Sequence, residues 1–209
     1  MSAHEIILHL KRLLSRDLAW WSSSIDTARN DSAAWRGYLR KRTHMAFEQE
    51  IKVYQFLLGY GEMLLADIPE AEAFKLICEG GVSPAWIIGH LGFVGNRALA
   101  MGGGEPKIDF DAWQPMFGGG STPQGEADTK LYPSWDQLLK VWRAGHADVA
   151  ARLPLAEGDA LKADNPNERM RGGLPTVGDL ISFILTGHEA MHLGQLSTWR
   201  RVQGRPPLF

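Results

Sequence analysis

The chain has 209 residues, with 22 Lys and Arg against 24 Asp and Glu and a formal net charge of −2. That balance lacks the basic excess of a nucleic-acid-binding surface, and no apolar run approaches the roughly 18 residues that a membrane span needs. Cys78 is the lone cysteine, so no internal disulfide can form; with charges where a signal peptide needs an uninterrupted apolar core, a cytoplasmic protein built on one main domain is expected.

Charge is unevenly spread. Residues 1–44 carry eight Lys and Arg against four acids, a net of +4, which leaves −6 for residues 45–209. Such an asymmetry marks a boundary. Ile6, Ile7, Leu10, Leu13, Leu14 and Leu18 form an amphipathic stretch with basic neighbours. It reads as a membrane-surface or targeting segment, as an extra helix followed by a Ser-rich linker, or as a stretch preceding a natural start at Met45. The expectation is a dispensable basic N-terminal extension over 1–44, ahead of a domain over 45–209.

From residue 45 onward the apolar spacing is helical. A first helix is expected over 47–67, with Val53, Phe56, Leu57, Tyr60, Met63 and Leu64 at helical spacing and Pro69 after it. A second should start at Ser83 as N-cap, with Pro84 in its first turn, and run to about Met101. It is almost wholly apolar before Asn96 and Arg97, and it carries His90. Gly89, Gly92 and Gly95 each cost about 1 kcal/mol there against Ala, and their small size would let a neighbour approach closely. A Gly/Pro-rich connection covers 102–133 and is too long to be idle in a small domain. A third helix should open at Ser134, with Gln137 completing a capping box, and end near Leu153 and Pro154. After a polar, turn-rich connection over 154–175, Thr176 and Asp179 cap a fourth helix over 177–202, stopped by Gly204, Pro206 and Pro207. Nothing alternates as a long strand, so the fold class is all-α: a four-helix bundle with long connections and an extra N-terminal segment.

The fourth helix holds His188-Glu189-Ala190-Met191-His192. Two histidines at i and i+4 share a helix face about 6 Å apart along the axis, where they can share a divalent metal. The string H-E-x-x-H is also that of zinc metalloproteases, in which the glutamate is the general base. A thermolysin-like site wants an acid downstream, yet residues 193–209 contain no Asp, Glu or His. A metzincin wants H-E-x-x-H-x-x-G-x-x-H, whereas Gly194 comes one place early and Thr198 stands at the third histidine. Any third ligand must come from upstream, where His90 is the best candidate; the alternative is that it packs with one nitrogen bonded to a neighbour. His146 lies on a more evenly amphipathic helix and reads as a surface or boundary residue. His4 and His9 lie in the N-terminal segment and His44 at its edge.

Ser83-Pro84-Ala85-Trp86-x-x-Gly89-His90-Leu91, followed by His188-Glu189-x-x-His192-x-Gly194-Gln195-Leu196, resembles the DinB-like superfamily of metal-binding four-helix bundles. The tail from Thr186 to Phe209 and the segment Tyr132-Pro133-Ser134-Trp135 share the likeness, which covers the chain from about Met45 onward. The resemblance implies a divalent metal on one histidine of the second helix and two of the fourth, here His90, His188 and His192, with open positions for water or substrate. Glu189 departs from the pattern by creating the protease-like string.

Three neutral imidazoles leave a bound metal positively charged, able to stabilise a thiolate or oxyanion. Zinc suits this set best, with nickel, iron and manganese as alternatives. Gln195 lies near the ligand face and is a candidate for holding a ligand or contacting substrate; Glu189, rotated by about 100°, is a candidate base or a supporting residue. Similar family members include transferases that use low-molecular-weight thiols, isomerases and hydrolases, and many dimerise. The resemblance therefore implies a metal-dependent thiol S-transferase or hydrolase acting on small molecules, with a thiol cosubstrate in the first case and a homodimeric assembly. A non-catalytic stress-response binding bundle is the second reading, and a zincin-type protease the third.

Overall fold

Four helices begin where a short polar side chain, Ser83, Asp109, Ser134 or Thr176, caps the first turn. The computed structural model describes residues 46–125 and 131–208. The expectations for 1–44, including those for His4, His9 and His44, lie outside the described residues. Ala46–Phe209 forms a compact unit of its own.

The main helices are α1 (Glu48–Leu65), α2 (Pro84–Met101), α3 (Phe110–Phe117), α4 (Trp135–Arg152), α5 (Val177–Phe183) and α6 (Glu189–Val202). Single helical turns lie at Glu70–Ala73 and Gly158–Leu161. The caps are those expected from the sequence. Ser83 Oγ accepts from the Trp86 N–H at 3.2 Å, and capping boxes pair Ser134 with Gln137 and Thr176 with Asp179. Gly204 takes φ 78° just past the last helix, a conformation that favours glycine.

Two features depart from the expected elements. The connection over 102–133 contains α3, capped by Asp109, whose side chain accepts from the Asp111 and Ala112 N–H groups. The fourth helix is not a uniform α-helix: Ile184–His188 is a π-helical turn joining α5 to α6.

Among the described residues the fold is all-α, with one isolated bridge between Asp164 and Thr176 in place of a sheet. Helix α2 packs most extensively on α4, and α6 packs on α1 and α2. One part of the core gathers Trp86, Trp135, Trp142 and Trp199; a second gathers Leu99, Leu153, Val177 and Ile181. Burying such side chains is the main favourable term in folding, about 1.5–3 kcal/mol for a Leu or Ile. Gly92 allows α2 and α4 to approach closely, since a Cβ there would lie 3.1 Å from Val141 and 3.4 Å from the Trp142 backbone. Arg200 ties the end of α6 to the end of α1: it donates to the Leu64 carbonyl at 2.7 Å and pairs with Asp67. No helix among the described residues is long and apolar enough to cross a membrane.

Candidate metal centre

His90 comes from the middle of α2, His188 from the last position of the π turn and His192 from the second turn of α6. Each offers one ring nitrogen to a cluster in which the three atoms lie within 4.8 Å of one another. His90 Nε2 and His188 Nε2 are 3.1 Å apart. A tetrahedral ion with metal–nitrogen distances near 2.0–2.1 Å holds its nitrogens about 3.3 Å apart, so the pair is already close to the span an ion needs.

Hydrogen bonds decide which nitrogens face inward. The Phe117 carbonyl can only accept, so at 2.6 Å it takes the Nδ1–H of His90 and leaves His90 Nε2 as a bare lone pair. His192 Nδ1–H donates to Gln195 Oε1 at 2.8 Å, and its Nε2 is likewise left without a proton. An oxygen partner on the outer nitrogen is what orients a metal-binding imidazole. His188 lacks that support. Its Nδ1 is buried without a hydrogen-bond partner, and its ring is held by edge packing on Phe183 with centroids 5.9 Å apart.

A family model for the DinB superfamily matches residues 61–196. The chain belongs to the DinB superfamily. No curated protein and no solved structure matches it. The matched span of this DinB chain holds His90, His188 and His192 and the residues that orient them, and it excludes residues 1–44.

Burial governs protonation in the DinB bundle's histidine cluster. Desolvation, then the neighbouring His192, lowers the pKa of His90 to about 4, against the opposing hydrogen bond to Phe117. Desolvation, then His192 and His90, lowers that of His188 to about 3. Desolvation also lowers that of His192, opposed by Gln195 and by the charge of Glu189. At neutral pH all three rings are therefore neutral, the form that ligates a cation.

Several supporting groups went unread in the sequence. The Phe117 carbonyl is one, and a backbone acceptor in a Gly-rich connection leaves no side-chain signature. Trp86 is another: it stacks on His90 with ring centroids 4.8 Å apart and donates its indole N–H to the Met116 carbonyl at 3.2 Å. Its spacing of four from His90 was the available signal. Gly89 gives Phe117 its place, because a Cβ there would lie 2.2 Å from the Phe117 ring.

Glu189 is buried and faces another set of partners. Its Oε1 accepts from Trp142 Nε1–H at 3.1 Å and lies 2.9 Å from His146 Nε2. His146 is accordingly buried, 2% exposed, and not the surface or boundary residue that its helix suggested. It stacks on Tyr54 with centroids 3.7 Å apart. Burial, then the Glu189 charge, pushes the Tyr54 phenol well above its usual range. The error over His146 arose because Glu189, its polar partner, is remote in sequence. Trp113 packs against Phe117 with centroids 5.1 Å apart.

A cavity of about 620 Å³ opens beside the cluster, with His90 and His188 on its wall. Its size falls within the range of small-molecule sites. Neither Glu189 nor Gln195 lines it.

Proposed function

We propose that this DinB protein is a metal-dependent enzyme of small-molecule metabolism, a thiol S-transferase or a hydrolase, with His90, His188 and His192 holding a divalent metal. The observation that carries the reading is the convergence of three neutral imidazole nitrogens within 4.8 Å beside a cavity of small-molecule size. The donor set fits a divalent ion: two of the rings have their outer nitrogens committed to oxygen acceptors, and no carboxylate joins the group. Zinc is the first choice for three imidazoles, with nickel, iron or manganese as alternatives.

When bound, such a metal supplies Lewis acidity that lowers the pKa of a thiol or a water. The chain's own residues supply placement. Phe117 and Trp86 hold His90, Gln195 holds His192, and Phe183 packs His188. Gln195 thus acts through His192 as a positioning residue. Of the two candidate roles of Glu189, base or supporting residue, its hydrogen bonds to Trp142 and His146 favour the supporting one, an anchor for α6 in the core. That placement also leaves a zincin-type mechanism without its base.

Elemental analysis of the purified protein, alone and as His90→Ala, His188→Ala and His192→Ala, tests the reading. The expected result is about one divalent ion per chain, with a loss of at least roughly tenfold in affinity for each variant. Full metal content in His188→Ala would sink the proposal. A panel of low-molecular-weight thiols with electrophilic substrates, run beside a panel of hydrolysable amides and esters, separates transferase from hydrolase.

A further inference from the structure

The cavity beside the histidines is divided by chemistry. Apolar surface comes from Phe93 and Met101 on α2 and from Leu180, Phe183 and Ile184 on the α5–π segment. Two arginines share the wall: Arg97, one turn beyond Phe93 on α2, and Arg169, on the helical turn Glu168–Met170 in the connection before α5.

Arg143, Arg171, Arg200 and Arg205 each pair with an acid. Among the described residues Arg97, Arg152, Arg169 and Arg201 form no ion pair, and of these four only Arg97 and Arg169 line this cavity. Arg97 donates to the neutral Gln114 Oε1 at 3.3 Å and lies over the Phe93 ring at 5.8 Å. Glu168 is the one acid on the cavity wall, and it faces Arg171 at 3.8 Å. The cavity wall therefore carries Arg97 and Arg169 against the single acid Glu168, with His90 and His188 on the same wall. Arg forks recognise planar or tetrahedral oxyanions in two-point fashion.

We propose that this cavity binds an organic anion, with its apolar body on Phe93, Met101 and Phe183 and a carboxylate or phosphate head held by Arg97 and Arg169. The anion is the substrate or cosubstrate of the histidine site; this assignment rests on the metal-enzyme reading above, whereas the anion selectivity itself does not. The body runs between the arginines and the histidines, which places the end remote from the head at His90 and His188. Charge on the ligand selects for entry, and the apolar wall supplies contact area.

Isothermal titration of the full chain with 4-phenylbutanoate, 4-phenylbutyl phosphate and 4-phenylbutan-1-ol tests the proposal, in metal-free and zinc-loaded protein. At least one of the two anions is expected to bind roughly tenfold or more tightly than the alcohol, in both forms of the protein. Which anion wins tells a carboxylate site from a phosphate site. The double variant Arg97→Gln/Arg169→Gln should erase that preference while retaining the weak alcohol binding and the wild-type circular dichroism. Both substitutions lie outside the histidine cluster, so zinc stoichiometry should not change. Alcohol binding as tight as the anions, no measurable anion binding, or a preference that survives the double substitution would each overturn the proposal. Zinc stoichiometry of the wild-type protein is read separately: its absence defeats the three-histidine reading and leaves the anion result standing on its own.

Discussion

At the scale of single residues, the three histidines are defined by what their outer nitrogens touch. Protons compete with metal for an ordinary imidazole from about pH 6.5 downward. Here the metal-free folded state resists protonation, with His90 at about 4 and His188 at about 3. The His192 pKa is lowered as well, so metal affinity, followed by competition with a chelator, is expected to hold below pH 6.5 and to fall at a lower pH than at an ordinary imidazole site. The sign for the metal-free protein follows from the same shifts. Between the folded and unfolded pKa values the unfolded chain binds more protons, so stability is full above about pH 6.5 and falls as the pH drops through that window. A decline in metal affinity that begins at pH 6.5 would contradict burial as the controlling term. Glu189 makes a separate prediction. Glu189→Ala leaves the Trp142 N–H and His146 Nε2 buried without a partner and should cost about 2–4 kcal/mol. Glu189→Gln keeps an acceptor for Trp142 and should lose less, with metal content unchanged. Denaturant melts and elemental analysis read both, and a fall in metal content with no loss of stability in Glu189→Gln would place the carboxylate at the metal instead. Sequence pattern revealed the histidines because i,i+4 spacing is local. It could not show that Glu189 turns toward His146, a residue 43 positions away.

At the scale of elements, the caps were readable because Ser83, Ser134 with Gln137, and Thr176 with Asp179 act over three residues. Helix α3 was not, because Asp109 caps only eight residues and Pro115 inside them reads as a breaker. The π turn was missed although its signal was present. Val177, Ile181, Leu185, Glu189 and Leu193 are buried at strict intervals of four. An uninterrupted α-helix would rotate Leu193 about 160° away from Val177, so no single face could bury the whole series. One additional residue in a wider turn removes roughly 100° of that drift and keeps α5 and α6 facing the same core. Such turns often occur at functional sites, and this one ends on His188. Deleting Gly187 should therefore rotate α5 against α6 by about 100°. The expected outcome is helical circular dichroism close to wild type, a lower unfolding midpoint and at least a tenfold loss of metal affinity. Wild-type affinity and midpoint in the deletion variant would show that the π turn has no part in presenting the site.

At the scale of the whole molecule, periodicity announced a bundle but did not assign every face. In α1 the buried hydrophobic set is Ile51, Tyr54, Leu57, Leu64 and Leu65, while Val53, Phe56 and Met63, equally well spaced, are exposed. A helix with apolar residues on two faces offers two solutions, and only the partners choose between them. The charge split at the N-terminus poses the other question at this scale. Among the described residues, both parts of the core and all three histidines lie within the unit that starts at Ala46. A unit of this length with its own core is expected to fold without help from outside it. Residues 46–209 produced alone should therefore unfold cooperatively, bind the same amount of metal per chain, and melt within about 3 °C of the full chain, the shift that roughly 1 kcal/mol produces at this size. Thermal denaturation followed by circular dichroism, with elemental analysis on the same samples, checks all three. A broad, non-cooperative melt, or loss of metal with the fold intact, would instead make the basic extension part of the working structure.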